Sequence, residues 1–146
     1  MSISGIQRFI DAQKESYSGA FLEIKQGYKR SHWMWYVFPQ IHGLGESQTS
    51  KYFAIKSIDE AREYLKNQYL YDNLINICEE LLKQETNDPV EIFGEIDAMK
   101  LRSSMTLFNY VCNLDKNKID VFEKVLIKYF NGQNDTKTLD ILLNEN

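Results

Sequence analysis

Apolar positions recur at helical spacing along nearly the whole chain. Ile6, Phe9, Ile10, Gln13 and Tyr17 fall on one stripe, opened by a Ser4–Gln7 capping-box pair. Ser18-Gly19 reads as an interruption, after which Tyr17, Phe21, Ile24 and Tyr28 mark a second helix that should stop near Gly27. Ser31 reads as the N-cap of a third helix, because its hydroxyl can accept from free first-turn amides. Pro39 pushes Phe38 out of the α region and limits that helix to about two turns. Residues on to Lys56 read as loop, with one short element over Ser50 to Ile55 that fits strand and helix equally well.

The second half is more regular. Ser57-Ile58-Asp59-Glu60 is a capping box and opens a helix through Lys66. Leu70, Leu74, Ile77 and Leu81 give one amphipathic face. Asp88-Pro89-Val90-Glu91 sets a cap, a first-turn proline and a third-position acid in order, predicting a short helix that ends at Gly94. Asp97 is expected to cap the longest remaining helix, whose buried face carries Leu101, Met105, Phe108 and Cys112. Ile119, Phe122, Leu126, Tyr129 and Phe130 form another, stopped by Gly132, and Thr138 to Leu143 adds a short closing element. No internal repeat, linker or paired strand pattern interrupts the series. The expected architecture is all-α: a single compact bundle over residues 1–146, with about seven or eight short helices.

Composition narrows the functional classes. A chain of 146 residues is long enough to bury about 68–70% of its unfolded surface. Its 43% hydrophobic and 26% charged content is ordinary for a globular protein. A net charge of −4 argues against a general nucleic-acid or membrane-surface binder, which would carry a basic footprint. No apolar run reaches the roughly 18 residues of a membrane span, and the N-terminus lacks the apolar segment of a secretory signal. Cys78 and Cys112 stand alone within apolar helical patterns, so neither a disulfide framework nor a zinc module is expected, and a reduced, cytoplasmic protein is.

The chemistry-bearing residues concentrate in two places. Lys29 to Ser47 holds both tryptophans and both histidines, with Lys29, Arg30 and Ser31 in front of a bulky apolar run. His32 is the first candidate for acid/base work, since imidazole titrates near neutral pH. Trp33 and Trp35, two apart on a helix, point to different sides, so one is expected in the core and the other in a cleft. Lys100, Ser103, Ser104 and Leu107 share a helix face, and a cation with two hydroxyls near a helix N-terminus suits an anion. Gly43-Leu44-Gly45 matches no phosphate-binding fingerprint and reads as an ordinary turn. His32 and His42 lack partners at metal-ligand spacing, so no metal and no cofactor is expected. A Ser–His–acid set can be drawn from Ser103 or Ser104, His32, and Asp11 or Asp97, but no nucleophile-elbow pattern supports it.

Several blocks together resemble a known family. They are Arg8-Phe9 with Ala12-Gln13, the run from Lys29 to Trp35 with Val37-Phe38-Pro39-Gln40, Gly43-Leu44-Gly45, Glu91-Ile92-Phe93-Gly94, and the run from Lys100 to Phe108. These look like the bacterial domain-of-unknown-function family eighteen-ten, sometimes labelled calpastatin-like, over about Phe9 to Leu142. The resemblance implies a small stand-alone helical domain and supplies no established catalytic residues. The inhibitor behind that label is largely disordered, whereas this chain has a full apolar core pattern, so an inhibitor role is set aside.

The function expected is binding of a small anionic, nucleotide-like ligand between the Ser31 helix start and the Lys100–Thr106 face. Arg30 and Lys100 would hold anionic groups, Ser31, Ser103 and Ser104 would hydrogen-bond, Trp33 or Trp35 would stack, and Gln13 and Gln40 complete the candidate set. No nucleic-acid or membrane partner is expected. The alternative is a protein-interaction or regulatory module, in which a tryptophan would sit on an exposed apolar patch instead of a concave cleft.

Overall fold

The computed structural model describes residues 5–145 and is all-α. The elements are α1 (Gln7–Lys25), α2 (Met34–Val37), α3 (Gln48–Phe53), α4 (Ile58–Lys66), α5 (Gln68–Lys83), α6 (Pro89–Leu114), α7 (Val121–Phe130) and α8 (Thr136–Glu145). The apolar stripe of α6 forms the centre, with Leu101, Met105 and Phe108 fully buried, and α4, α7 and α8 pack against it. Helix α1 lies on α5 and on α2, and α5 in turn lies on α7. Each such buried leucine or phenylalanine contributes about 1.5–3 kcal/mol over leaving it in water.

Ser18 and Gly19 do not break α1, contrary to the reading above. Glycine inside a helix costs about 1 kcal/mol against alanine, and the core contacts of Ala20 and Ile24 on the next turn outweigh it. The helix ends where Gly27 takes φ +85°. Gly27 N–H donates to Ile24 O and Tyr28 N–H to Glu23 O, the paired bonds of a Schellman stop. Ser4 lies outside the described residues, and the N-cap position, Ile6, makes no side-chain cap bond.

Ser57 accepts from Glu60 N–H as expected, but the Glu60 carboxylate does not return to Ser57. It takes the Lys56 amide at 2.9 Å and forms a buried bidentate pair with Arg8 at 2.7 and 3.0 Å. Arg8 also donates to the carbonyls of Tyr52 and Ala54, so α1 is riveted to the end of α3 and the loop that follows it. That loop pairs with residues after α2 through a parallel Ile41–Ile55 bridge. The weakly marked element after Ser47 is the helix α3, capped by Ser47 accepting from Ser50 N–H.

Asp88 caps α6 as read from the sequence, accepting from Val90 N–H. Gly94 then breaks the helical path with φ 79° and ψ 170°, and the helix resumes at Glu95. The resumed helix therefore begins before Asp97, which lies inside it and turns its carboxylate to other work. Ser31 is likewise not a cap. Helix α2 begins at Met34, with Trp33 in the cap position, and is a single turn.

Candidate functional site

The segment between α1 and α2 is organised by one carboxylate. Glu23, on the last turn of α1, accepts from Arg30 N–H at 2.7 Å, Ser31 N–H at 3.1 Å and the Trp33 indole N–H at 2.9 Å through one oxygen. Its other oxygen accepts from the Ser31 hydroxyl at 2.5 Å. Ser31 is thereby held to α1, its amide and hydroxyl both donating to Glu23, and the cap position of α2 falls two residues later, at Trp33. Burial works to raise the Glu23 pKa, but the Ser31, Arg30 and Trp33 hydrogen bonds prevail and hold it down at about 2. The Arg30 side chain bonds Gln26 at the surface.

With Trp33 fixed in this way, the two tryptophans separate. Trp33 is 1% exposed and packs with Phe38 and Phe93 in the core. Trp35 is half-buried and lines a cleft of about 550 Å³ between α2 and the break in α6. His32 lines the same cleft, with its ring near-parallel to Trp35 at 28° and a centroid separation of 6.3 Å. Opposite them are Gly94, Glu95, Ile96 and Asp97, which open the resumed part of α6, and Lys100 one turn further on. The first residues of the resumed α6 segment, the positive end of its dipole, therefore line the cleft.

Each tryptophan carries a lysine over its ring, and Asp97 joins the two lysines. Lys29 Nζ sits 5.1 Å from the Trp33 centroid and Lys100 Nζ 5.2 Å from the Trp35 centroid. Asp97 takes Lys29 Nζ at 2.8 Å on one oxygen and faces Lys100 Nζ at 3.6 Å on the other. The Lys29 side chain is only 8% exposed and also donates to Ser31 O at 2.5 Å, while its backbone N–H binds Ile92 O. This cluster ties the turn before α2 to both segments of α6.

The structure thus brings His32, Trp35 and Lys100 around one cleft. It gives other work to several sequence-selected residues. Gln13 is buried under α2, where its amide donates to Tyr36 O and the Tyr64 hydroxyl and accepts from Asn73. Ser103 donates to Met99 O, and Ser104 is fully buried with no hydrogen-bond partner for its hydroxyl. Neither serine lines the cleft, and Asp11 binds Gln7 elsewhere on α1, so the Ser–His–acid set is not assembled there. Gln40 lines a smaller adjoining cavity, whose wall also includes Trp35. Among the described residues, no cluster of His, Cys, Asp and Glu is placed to hold a metal ion. Also among them, no helix is long and apolar enough to cross a membrane. Cys78 and Cys112 are free and buried.

Sequence reasoning did not select Glu23, Lys29 as a buried cation, or Asp97 as its partner. The available signal for Lys29 was its place beside Arg30 in the aromatic block. Nothing local marks Glu23, and Asp97 reads locally as a cap because its closest partner, Lys29, lies on another element.

A family model described as "Protein of unknown function (DUF1810)" matches residues 3–142. Among solved structures the chain is similar to the crystal structure of the conserved hypothetical protein Rv1873 from Mycobacterium tuberculosis. The two are 36% identical, with a TM-score of 0.88, over 94% of this chain and 96% of that one. No curated protein matches the chain.

Proposed function

The chain belongs to the DUF1810 family, whose function is unknown, and we propose that it binds a small, planar, anionic ligand of nucleotide-like character in the cleft beside Trp35. The observation that carries this reading is the composition of that cleft. A half-buried indole with a histidine ring beside it and a lysine over it gives a flat surface with cationic and hydrogen-bonding groups at its edge. The volume of about 550 Å³ lies in the ordinary range for small-molecule sites. In this reading Trp35 stacks on the planar part and Lys100 and His32 contact its polar edge. Lys29 and Glu23 are positioning residues, which hold the turn that presents His32 and Trp35. Turnover of the ligand, where it occurs, would use His32 for proton transfer. The two free buried thiols support a reducing, cytoplasmic setting.

One observation favours a second reading. Ile96, which lines the cleft, and Met99, three residues further along α6, are 74% and 60% exposed, as a protein-docking face would require. Titration with nucleotides and ADP-ribose, followed by tryptophan fluorescence, separates the two. Trp33 is sealed in the core, so a response reports on Trp35. Saturable quenching supports the ligand site, and a flat response across the panel favours the docking face.

A further inference from the structure

The cleft beside Trp35 does not stand alone. Trp35 also lines a second cavity, of about 110 Å³, between the Gly43–Gly45 turn and α3. Its wall includes Gln40, His42, Ser50, Lys51 and Lys56, and no carboxylate. Two acids touch this wall from outside: Glu145 lies 4.0 Å from His42, and Glu60, whose two oxygens are held by Arg8, accepts from the Lys56 backbone N–H at 2.9 Å. The two compartments therefore differ in charge. In the larger one Lys29 and Lys100 share Asp97, and Glu95 adds a second carboxylate. In the smaller one, Lys56 Nζ donates to Lys51 O at 2.7 Å, which uses one of its three donors, and it makes no ion pair among the described residues, since the nearby Glu60 carboxylate is bound to Arg8. Lys51 Nζ has no ion-pair or hydrogen-bond partner among the described residues.

We infer that the smaller cavity is an anion subsite, and that the ligand is bipartite: a planar group in the larger cleft and a phosphate- or pyrophosphate-like group beside Lys51 and Lys56, with Trp35 as the shared wall. The bipartite form rests on the reading proposed above; the anion subsite itself rests on the lysines. A compact anion gains most where cations lack a protein counter-charge, and an aromatic ring gains most where apolar surface is larger. The turn that closes this cavity is tightly built. A Cβ on Gly45 would lie 2.5 Å from Ser50 Cβ, so the chain comes against α3 as closely as glycine permits.

The test compares wild type with Lys51→Met/Lys56→Met and with Lys51→Arg/Lys56→Arg, using pyrophosphate, AMP and adenosine as probes. Both lysines are exposed, and circular dichroism with thermal melting checks that the variants stay folded. Expected are a pyrophosphate-induced change in Trp35 emission, and at least tenfold loss of pyrophosphate and AMP affinity in the methionine variant. Adenosine affinity, measured by calorimetry, should be unchanged, and the arginine variant should restore the loss. AMP and pyrophosphate binding that is the same in wild type and the methionine variant overturns the subsite. If AMP binding then falls in Lys100→Met, the planar-ligand reading survives without it. Pyrophosphate binding that depends on the two lysines, with no response to adenosine or AMP, upholds the subsite and sinks the planar-ligand reading.

Discussion

Lys29 Nζ lies 2.8 Å from the Asp97 carboxylate, and this contact joins the turn before α2 to the restart of α6. A lysine side chain 8% exposed has little access to water as an alternative partner. Asp97→Asn should therefore lower stability by about 3 kcal/mol, read as a shift in urea midpoint at unchanged slope. The same substitution strips the cleft of a carboxylate facing both lysines. Affinity for an anionic probe such as AMP should rise while stability falls. A fall in both would mean that Asp97 shapes the cleft more than it tunes its charge.

Glu23 gives the account a pH dependence. Its folded pKa, about 2, lies below its ordinary value of 4.5, so the folded state holds the charged form more firmly than the unfolded chain does. That contribution is complete above about pH 4.5 and is lost as pH falls towards 2. Melting temperature in wild type should decline over this window, and Glu23→Gln should flatten part of the decline. An identical acid limb in both proteins would show that the four hydrogen bonds to Glu23 carry no net stability.

Two glycines predict opposite signs. Gly94 holds φ 79° and ψ 170°, a region open almost only to glycine, with free space around a would-be Cβ. Gly94→Ala should cost about 1–3 kcal/mol through backbone strain alone. Gly19 is helical, with nothing within 4 Å of its would-be Cβ, and Gly19→Ala should stabilise by about 0.5–1 kcal/mol. Chemical denaturation of the two variants in parallel measures both.

Ser104 is buried in α6 with its hydroxyl unpartnered. Ser104→Ala removes a desolvated polar group, so stability should hold or rise by about 1 kcal/mol. Ligand affinity should not change. A clear loss of affinity in that variant would reinstate Ser104 as a ligand contact.

These residues show how far local pattern carries. Ser57, the Leu70–Leu74–Ile77–Leu81 face and the Asp88-Pro89 start were legible because their partners lie within a turn or two of chain. The same holds for the stops at Gly27 and Gly94. Ser31 misled because Glu23, eight residues back, holds it to α1, and Asp97 because Lys29 lies on another element. Ser18-Gly19 misled because core contacts of neighbouring residues override propensity. The separation of Trp33 and Trp35 followed from helical geometry, but which one entered the core depended on the Glu23 hydrogen bond.

The most direct test of the proposed site is a fluorescence titration with AMP and ADP-ribose of wild type, Trp33→Phe and Trp35→Phe. Trp35 lines the cleft and Trp33 does not. Saturable quenching is expected in wild type and, in a protein that remains folded, in Trp33→Phe. Trp35→Phe should lose the signal, with affinity by calorimetry at least severalfold weaker. No response in wild type, while iodide quenching shows Trp35 open to solvent, would contradict the account.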